Sequence, residues 1–143
     1  MLKVKGYTQE DEARVVDFIR KVQSDAVPDM GIIERAVLIK DGQDVVGMVS
    51  YESYSDLGVI RYFLYDACIA GTDIVIGMFF ELYKKAYERG AKQLIAQVPS
   101  REVGMLFEML GFGKVTGDLS DFGDIVRKDV EIMLIHLEGQ SLG

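Results

Sequence analysis

Apolar residues recur at helical spacing at Val15, Val16, Ile19 and Val22, and Thr8 followed by Asp11 stands just ahead of them. A short side-chain oxygen before such a run satisfies the open N–H groups of a first turn. The spacing therefore predicts a helix over about Gln9 to Gln23, capped by Thr8. Pro28, Asp29 and Gly31 break the chain next, with a short second helix fitting around Val27 to Glu34. Ala36 to Lys40 is strand-like, Asp41-Gly42 is a hairpin signal, and the return from about Asp44 to Tyr54 is rich in β-branched and aromatic residues. Ser55-Asp56-Leu57-Gly58 turns the chain again into Val59 to Tyr65, completing an antiparallel meander.

The period then changes. Ile74, Val75, Met78, Phe79, Leu82 and Ala86 mark one face of a long helix that Arg89-Gly90 closes. Gln93 to Val98 is a short apolar strand, and the intervening helix lets it run parallel to the preceding strand through a right-handed crossover. Val103, Leu106, Phe107 and Leu110 make a further helical face stopped by Gly111, and strands over Phe112 to Thr116 and Glu131 to Glu138 finish the chain. The predicted order is α(α)βββαβαββ. It describes one α/β (α+β) domain over residues 1–143, with a mixed, mostly antiparallel sheet and helices on both sides.

Composition narrows the function. A net charge of −7 with scattered Lys and Arg argues against a nucleic-acid partner. No apolar run approaches the ~20 residues of a membrane span, and the start Met1 to Gly6 does not read as a signal peptide, so a cytoplasmic protein without a membrane partner is expected. The single cysteine, Cys68, forms no internal disulfide, and the absence of a Cys/His cluster predicts no metal.

The order of elements, across nearly the whole chain, resembles the GNAT N-acyltransferase fold. Leu38-Ile39-Lys40-Asp41-Gly42-Gln43-Asp44-Val45-Val46-Gly47 resembles that family's second hairpin. Tyr87-Glu88-Arg89-Gly90-Ala91 resembles the end of its central helix. Phe107-Glu108-Met109-Leu110-Gly111-Phe112 resembles its tyrosine-x-x-x-glycine-phenylalanine ending of the fourth helix, with Phe107 in the tyrosine place. The resemblance implies acetyl-CoA or another acyl-CoA as co-substrate, in a cleft where the fourth and fifth strands splay. It implies a small-molecule or peptide amine as acceptor, with the CoA pyrophosphate on the N-terminus of the central helix, where free N–H groups and the positive helix end attract anions. Counting back from Gly90, the family's Gln/Arg-x-x-Gly-x-Gly/Ala loop falls on Ala70-Gly71-Thr72-Asp73-Ile74-Val75. Ala70 replaces the basic or amide residue, Asp73 the first glycine and Val75 the second, so the phosphate signature is degenerate.

By the same resemblance, Phe63, Leu64 and Tyr65 at the end of the fourth strand, the loop residues Gly71, Thr72, Asp73, Ile74 and Val75, and Arg101 are the candidate CoA contacts. Arg101 stands where the family has an asparagine, either as a phosphate contact or as an exposed helix start. Phe107 lacks the phenol that protonates the departing thiolate, and Tyr65 is the candidate to supply it. A catalytically inactive binding or regulatory module on the same scaffold is the alternative.

Other residue types carry two readings each. Tyr51, Tyr54, Tyr62 and Tyr65 either line an aromatic pocket or coat half-buried sheet surface, and their strands also allow a homodimer. Cys68 is a loop or buried cysteine unless the only histidine, His136, comes near, and His136 reads as an outward strand residue. Glu34 and Glu52 are general bases only if buried. Asp118, Asp121, Asp124 and Asp129 lack the spacing of a calcium loop. Met78, Met105 and Met109 read as core filler or a hydrophobic groove.

Overall fold

The computed structural model describes residues 1–115 and 130–137. Asp118, Asp121, Asp124 and Asp129, together with Thr116 and Glu138 at the predicted strand ends, lie outside the described residues. The elements in chain order are β1 (Leu2–Gly6), α1 (Glu12–Val22), α2 (Met30–Ile33), β2 (Val37–Asp41), β3 (Asp44–Tyr54), β4 (Leu57–Tyr65), α3 (Thr72–Glu88), β5 (Gln93–Val98), α4 (Arg101–Met109), β6 (Gly113–Lys114) and β7 (Glu131–His136). They form a seven-stranded sheet in the order β1-β2-β3-β4-β5-β7-β6. Every neighbouring pair is antiparallel except β4 and β5.

The predicted order began at a helix. The chain instead begins with β1, which pairs along β2 from Leu2–Asp41 to Gly6–Val37. Its alternation of Leu2 and Val4 with Lys3 and Lys5 is short, and its partner lies more than thirty residues away, so only the assembled edge reveals it.

Helices cover both faces. On α3, Val75, Met78, Phe79, Leu82, Tyr83 and Ala86 are buried at helical spacing and join Phe107 of α4 and Leu110, its C-cap, in the larger core. The buried Tyr83 hydroxyl donates to the Leu110 carbonyl at 2.7 Å, tying the two helices together. On the other face Val15, Phe18 and Ile19 of α1 and Ile33 of α2 pack with Leu38, Val45 and Met48. α3 ends where Gly90 takes φ +100 and Ala91 N–H returns to the Ala86 carbonyl at 3.0 Å, a left-handed stop that suits glycine.

Asp11 fixes the start of α1. Only 2% exposed, its carboxylate accepts from Lys5 and Lys40 at 2.7 Å each and from the Thr8 N–H and hydroxyl at 3.1 and 3.0 Å. Burial works to raise its pKa, but the hydrogen bonds from Lys40, Lys5 and Thr8 win and hold the carboxyl well below the usual carboxylate range. β1, α1 and β2 are thus clamped at one charged point.

Among the described residues, no helix is long and apolar enough to cross a membrane.

Candidate active site

β4 and β5 are in register only at Leu57–Gln93, Gly58–Leu94 and Val59–Ile95. At Gly58 the approach is close: an added Cβ would meet Leu94 Cδ2 at 2.6 Å and Tyr51 Cδ2 at 2.8 Å. Gly58→Ala is expected to cost about 1–3 kcal/mol through overpacking, read as a lower urea midpoint with unchanged slope. Above Val59 the strands part. A cavity of about 330 Å³ opens between them, lined by Ile60 to Phe63 and Tyr65 of β4, by Ala96, Gln97 and Pro99, and by Val103, Leu106 and Phe107 of α4.

A bulge shapes the β4 wall of this cavity. Met48 faces Leu64 and Ser50 faces Arg61, so Val49 alone opposes Tyr62 and Phe63. Tyr62 takes φ 55, a left-handed conformation that costs a bulky residue about 1–3 kcal/mol. Its hydroxyl accepts from the Asp29 N–H at 3.0 Å, and its ring packs on the α1 and α2 face. Phe63 goes to the opposite face, edge-on to Phe79 and Phe107 at 4.9 and 5.7 Å between centroids. The cleft lies on the other edge of β4, where no β5 residue pairs with β4 beyond Val59.

The candidate residues divide. Phe63 and Tyr65 line the cavity, with Tyr65 stacked on Phe63 at 5.5 Å and 38% exposed at the rim. Leu64 turns to the α1 face. Gly71 caps α3, Thr72 and Asp73 are exposed in its first turn, Ile74 is half-buried and Val75 is core. Arg101 lies apart, in a second groove of about 790 Å³ shared with Glu108, Lys114 and Glu131. It sits six positions before Phe107, about 240° round the helix at 3.6 residues per turn.

The tyrosines do not gather in one pocket. Tyr51 is buried against α3, Tyr54 is exposed, and only Tyr62 and Tyr65 line the cavity. Met78 is core, but Met105 and Met109 are 58% and 62% exposed, correcting the expectation of core packing. Each is two positions from the buried Phe107, hence about 200° away on α4. Cys68 is exposed beyond the end of β4, whereas His136 pairs with Gln93 opposite the start of β4, so thiol and imidazole occupy opposite ends of the sheet. Glu34 sits beside Tyr7 and Arg35, away from the cleft.

Sequence reasoning missed Arg61 and Gln97. Arg61 is the only charged side chain within β4, and its Nη2 lies 3.3 Å from Glu52 Oε1 on β3. The Tyr54 phenol joins them, its pKa raised chiefly by hydrogen bonding to Glu52. A lone charge in an apolar strand was the available signal, but its meaning depends on which strands part.

The residues fit an acyl-CoA unequally. The apolar, aromatic cleft and unpaired β4 edge suit an acyl-pantetheine end, which Phe63 and Tyr65 would hold. The α3 start does not suit the diphosphate: Gly71 leaves N–H groups open, but Asp73 sets a carboxylate in the first turn, and none of residues 70–75 is basic.

No protein-family model matches the sequence, and no curated protein matches it at a significant level. Solved structures do match in shape. An N-acetylglutamate synthase from Neisseria gonorrhoeae, complexed with coenzyme A and N-acetyl-glutamate, superposes with TM-score 0.73 at 15% identity over 96% of this chain, which spans 35% of the synthase's length. The ribosomal-protein-S18-alanine N-acetyltransferase from Escherichia coli gives 0.69 at 12% identity over 99% of this chain and 97% of its own. An acetyltransferase of GNAT family from Staphylococcus aureus gives 0.68 at 10% identity over 96% of this chain and 100% of its own. At these identities the likeness establishes the fold, and the fold is that of the GNAT N-acetyltransferases.

Proposed function

We propose that the chain is an N-acyltransferase that passes an acyl group from acyl-CoA to an amine, with phosphate contacts unlike those of the family signature. The observation that carries this reading is the parted β4–β5 seam, walled by the Tyr62 bulge and ending at Tyr65. A bound acyl-CoA would supply the activated acyl group. The β4 edge that β5 leaves unpaired beyond Val59 would offer backbone donors toward a carbonyl oxygen, and donors fixed before the reaction stabilise charge at no cost in reorganisation. Tyr65 holds a proton at Oη on the rim, positioned by its stack on Phe63. Because Phe107 carries no hydroxyl and is buried, Tyr65 is the phenol available for a leaving group.

The reading is tested by mixing the protein with acetyl-CoA and a panel of amines and following release of free thiol. Tyr65→Phe is expected to lower the transfer rate about a hundredfold, the usual weight of a general acid, with CoA affinity unchanged. A variant within twofold of wild type removes Tyr65 from this role. The second reading, a module that binds without catalysing, draws on Asp73 and Phe107. It gains if CoA binds and no amine accelerates thiol release, and absence of CoA binding sinks the acyltransfer reading.

A further inference from the structure

Arg61 is the only charged side chain among the described residues that line the cleft. It projects to the α1 and α2 face, opposite Phe63: its cross-strand partner Ser50 bonds the α2 carbonyl of Ile32, and Glu52 lies on the same side of β3. Its contacts with Glu52 and the Ile60 carbonyl are long, 3.3 and 3.4 Å, and the Tyr54 phenol is a further neighbour. A guanidinium has five N–H donors, so capacity remains. The side chain is 29% exposed, reachable from solvent yet held along the cleft wall.

We infer that the acceptor is a small amino acid, its carboxylate taken by Arg61 on the α1 and α2 side of the seam. This rests on the acyltransfer reading and adds the substrate class. The planar fork of Arg61 matches a carboxylate or a phosphate equally well. Glu52 decides between them: a dianion brought beside it is repelled, whereas a zwitterion presents an ammonium to Glu52 and a carboxylate to Arg61. Size agrees. About 330 Å³ is at the small end for ligand clefts, which suits a small acceptor. Gln97 lines the opposite wall of the cavity, on β5.

Calorimetry on the full chain tests this, titrating glycine, alanine, glutamine and glutamate against their own α-carboxamides, with and without CoA. Acids are expected to bind about tenfold or more tighter than their amides, the worth of one charge-assisted hydrogen-bonded pair. Arg61→Gln should bring the ratio near one, and Arg61→Lys, which keeps the charge but not the fork, should restore part of it. CoA affinity should stay level in both variants. Equal affinity for acids and amides in the wild type, or no binding of either, overturns the inference whether or not the variants fold. Failure of CoA alone to bind counts only against the acyltransfer reading, because the titrations without CoA still probe Arg61.

Discussion

Asp11→Ala is expected to cost about 3–5 kcal/mol, since removing one partner of a buried ion pair strands the others. Lys5 and Lys40 would face each other without an anion, and Thr8 would lose the acceptor for both its N–H and its hydroxyl. A domain of this kind has about 5–15 kcal/mol in total, so the variant should melt on the order of 10–20 °C lower. Asp11→Asn, which keeps one acceptor oxygen, should lose less. The pH dependence follows from the depressed carboxyl. The folded state keeps Asp11 ionised at acidities where the unfolded chain protonates it. Its contribution is therefore complete above the ordinary aspartate value of about 3.9 and is lost as the pH falls below that value toward the depressed one. Acid titration of stability in wild type and Asp11→Ala should converge at low pH. A loss under about 1 kcal/mol at neutral pH, the range of a surface pair, would mean that the cluster is an exposed ion pair in solution.

Asp73→Gly should move a different quantity in the opposite direction. At the α3 N-terminus a carboxylate stabilises the helix by about 0.3–1 kcal/mol, and the variant gives that up. In exchange it clears the first turn for an anion. Two unit charges about 4 Å apart repel by about 1 kcal/mol in water and about 4 at the effective dielectric of a protein surface. CoA should accordingly bind the variant about tenfold tighter or more, while dephosphorylated pantetheine binds both proteins alike. Unchanged CoA affinity would place the diphosphate away from Thr72 and Asp73, and weaker binding would make Asp73 a contact rather than an obstacle.

These two acids differ in how far the sequence disclosed them. Asp73 could be located by counting back from Gly90, because a helix with caps at both ends carries its own ruler. Asp11 was visible as a partner of the Thr8 cap, but the lysines that make it a buried clamp come from β1 and β2, and β1 is defined only by pairing with a remote strand. The meander, α3, β5 and α4 were readable because each has a local period and a local stop. The bulge was not, since it exists only as a mismatch between β3 and β4: two residues opposite Val49 where a regular ladder has one. Arg61 was passed over for the same reason, as no local pattern marks which strand pair separates. Tyr65 could be placed at a strand end from sequence alone, whereas the stack on Phe63 that fixes its ring required the folded sheet.

The extra residue in β4 has an effect on phase. Arg61 and Tyr62, adjacent in the chain, both look toward α1 and α2, while Ile60 before them and Phe63 after them both look toward α3. The insertion is silent in parity: excise Tyr62, and every flanking side chain keeps its own side. The surplus is thus written in chain length alone, one unit that can be gained or lost without rewriting the interior on either side.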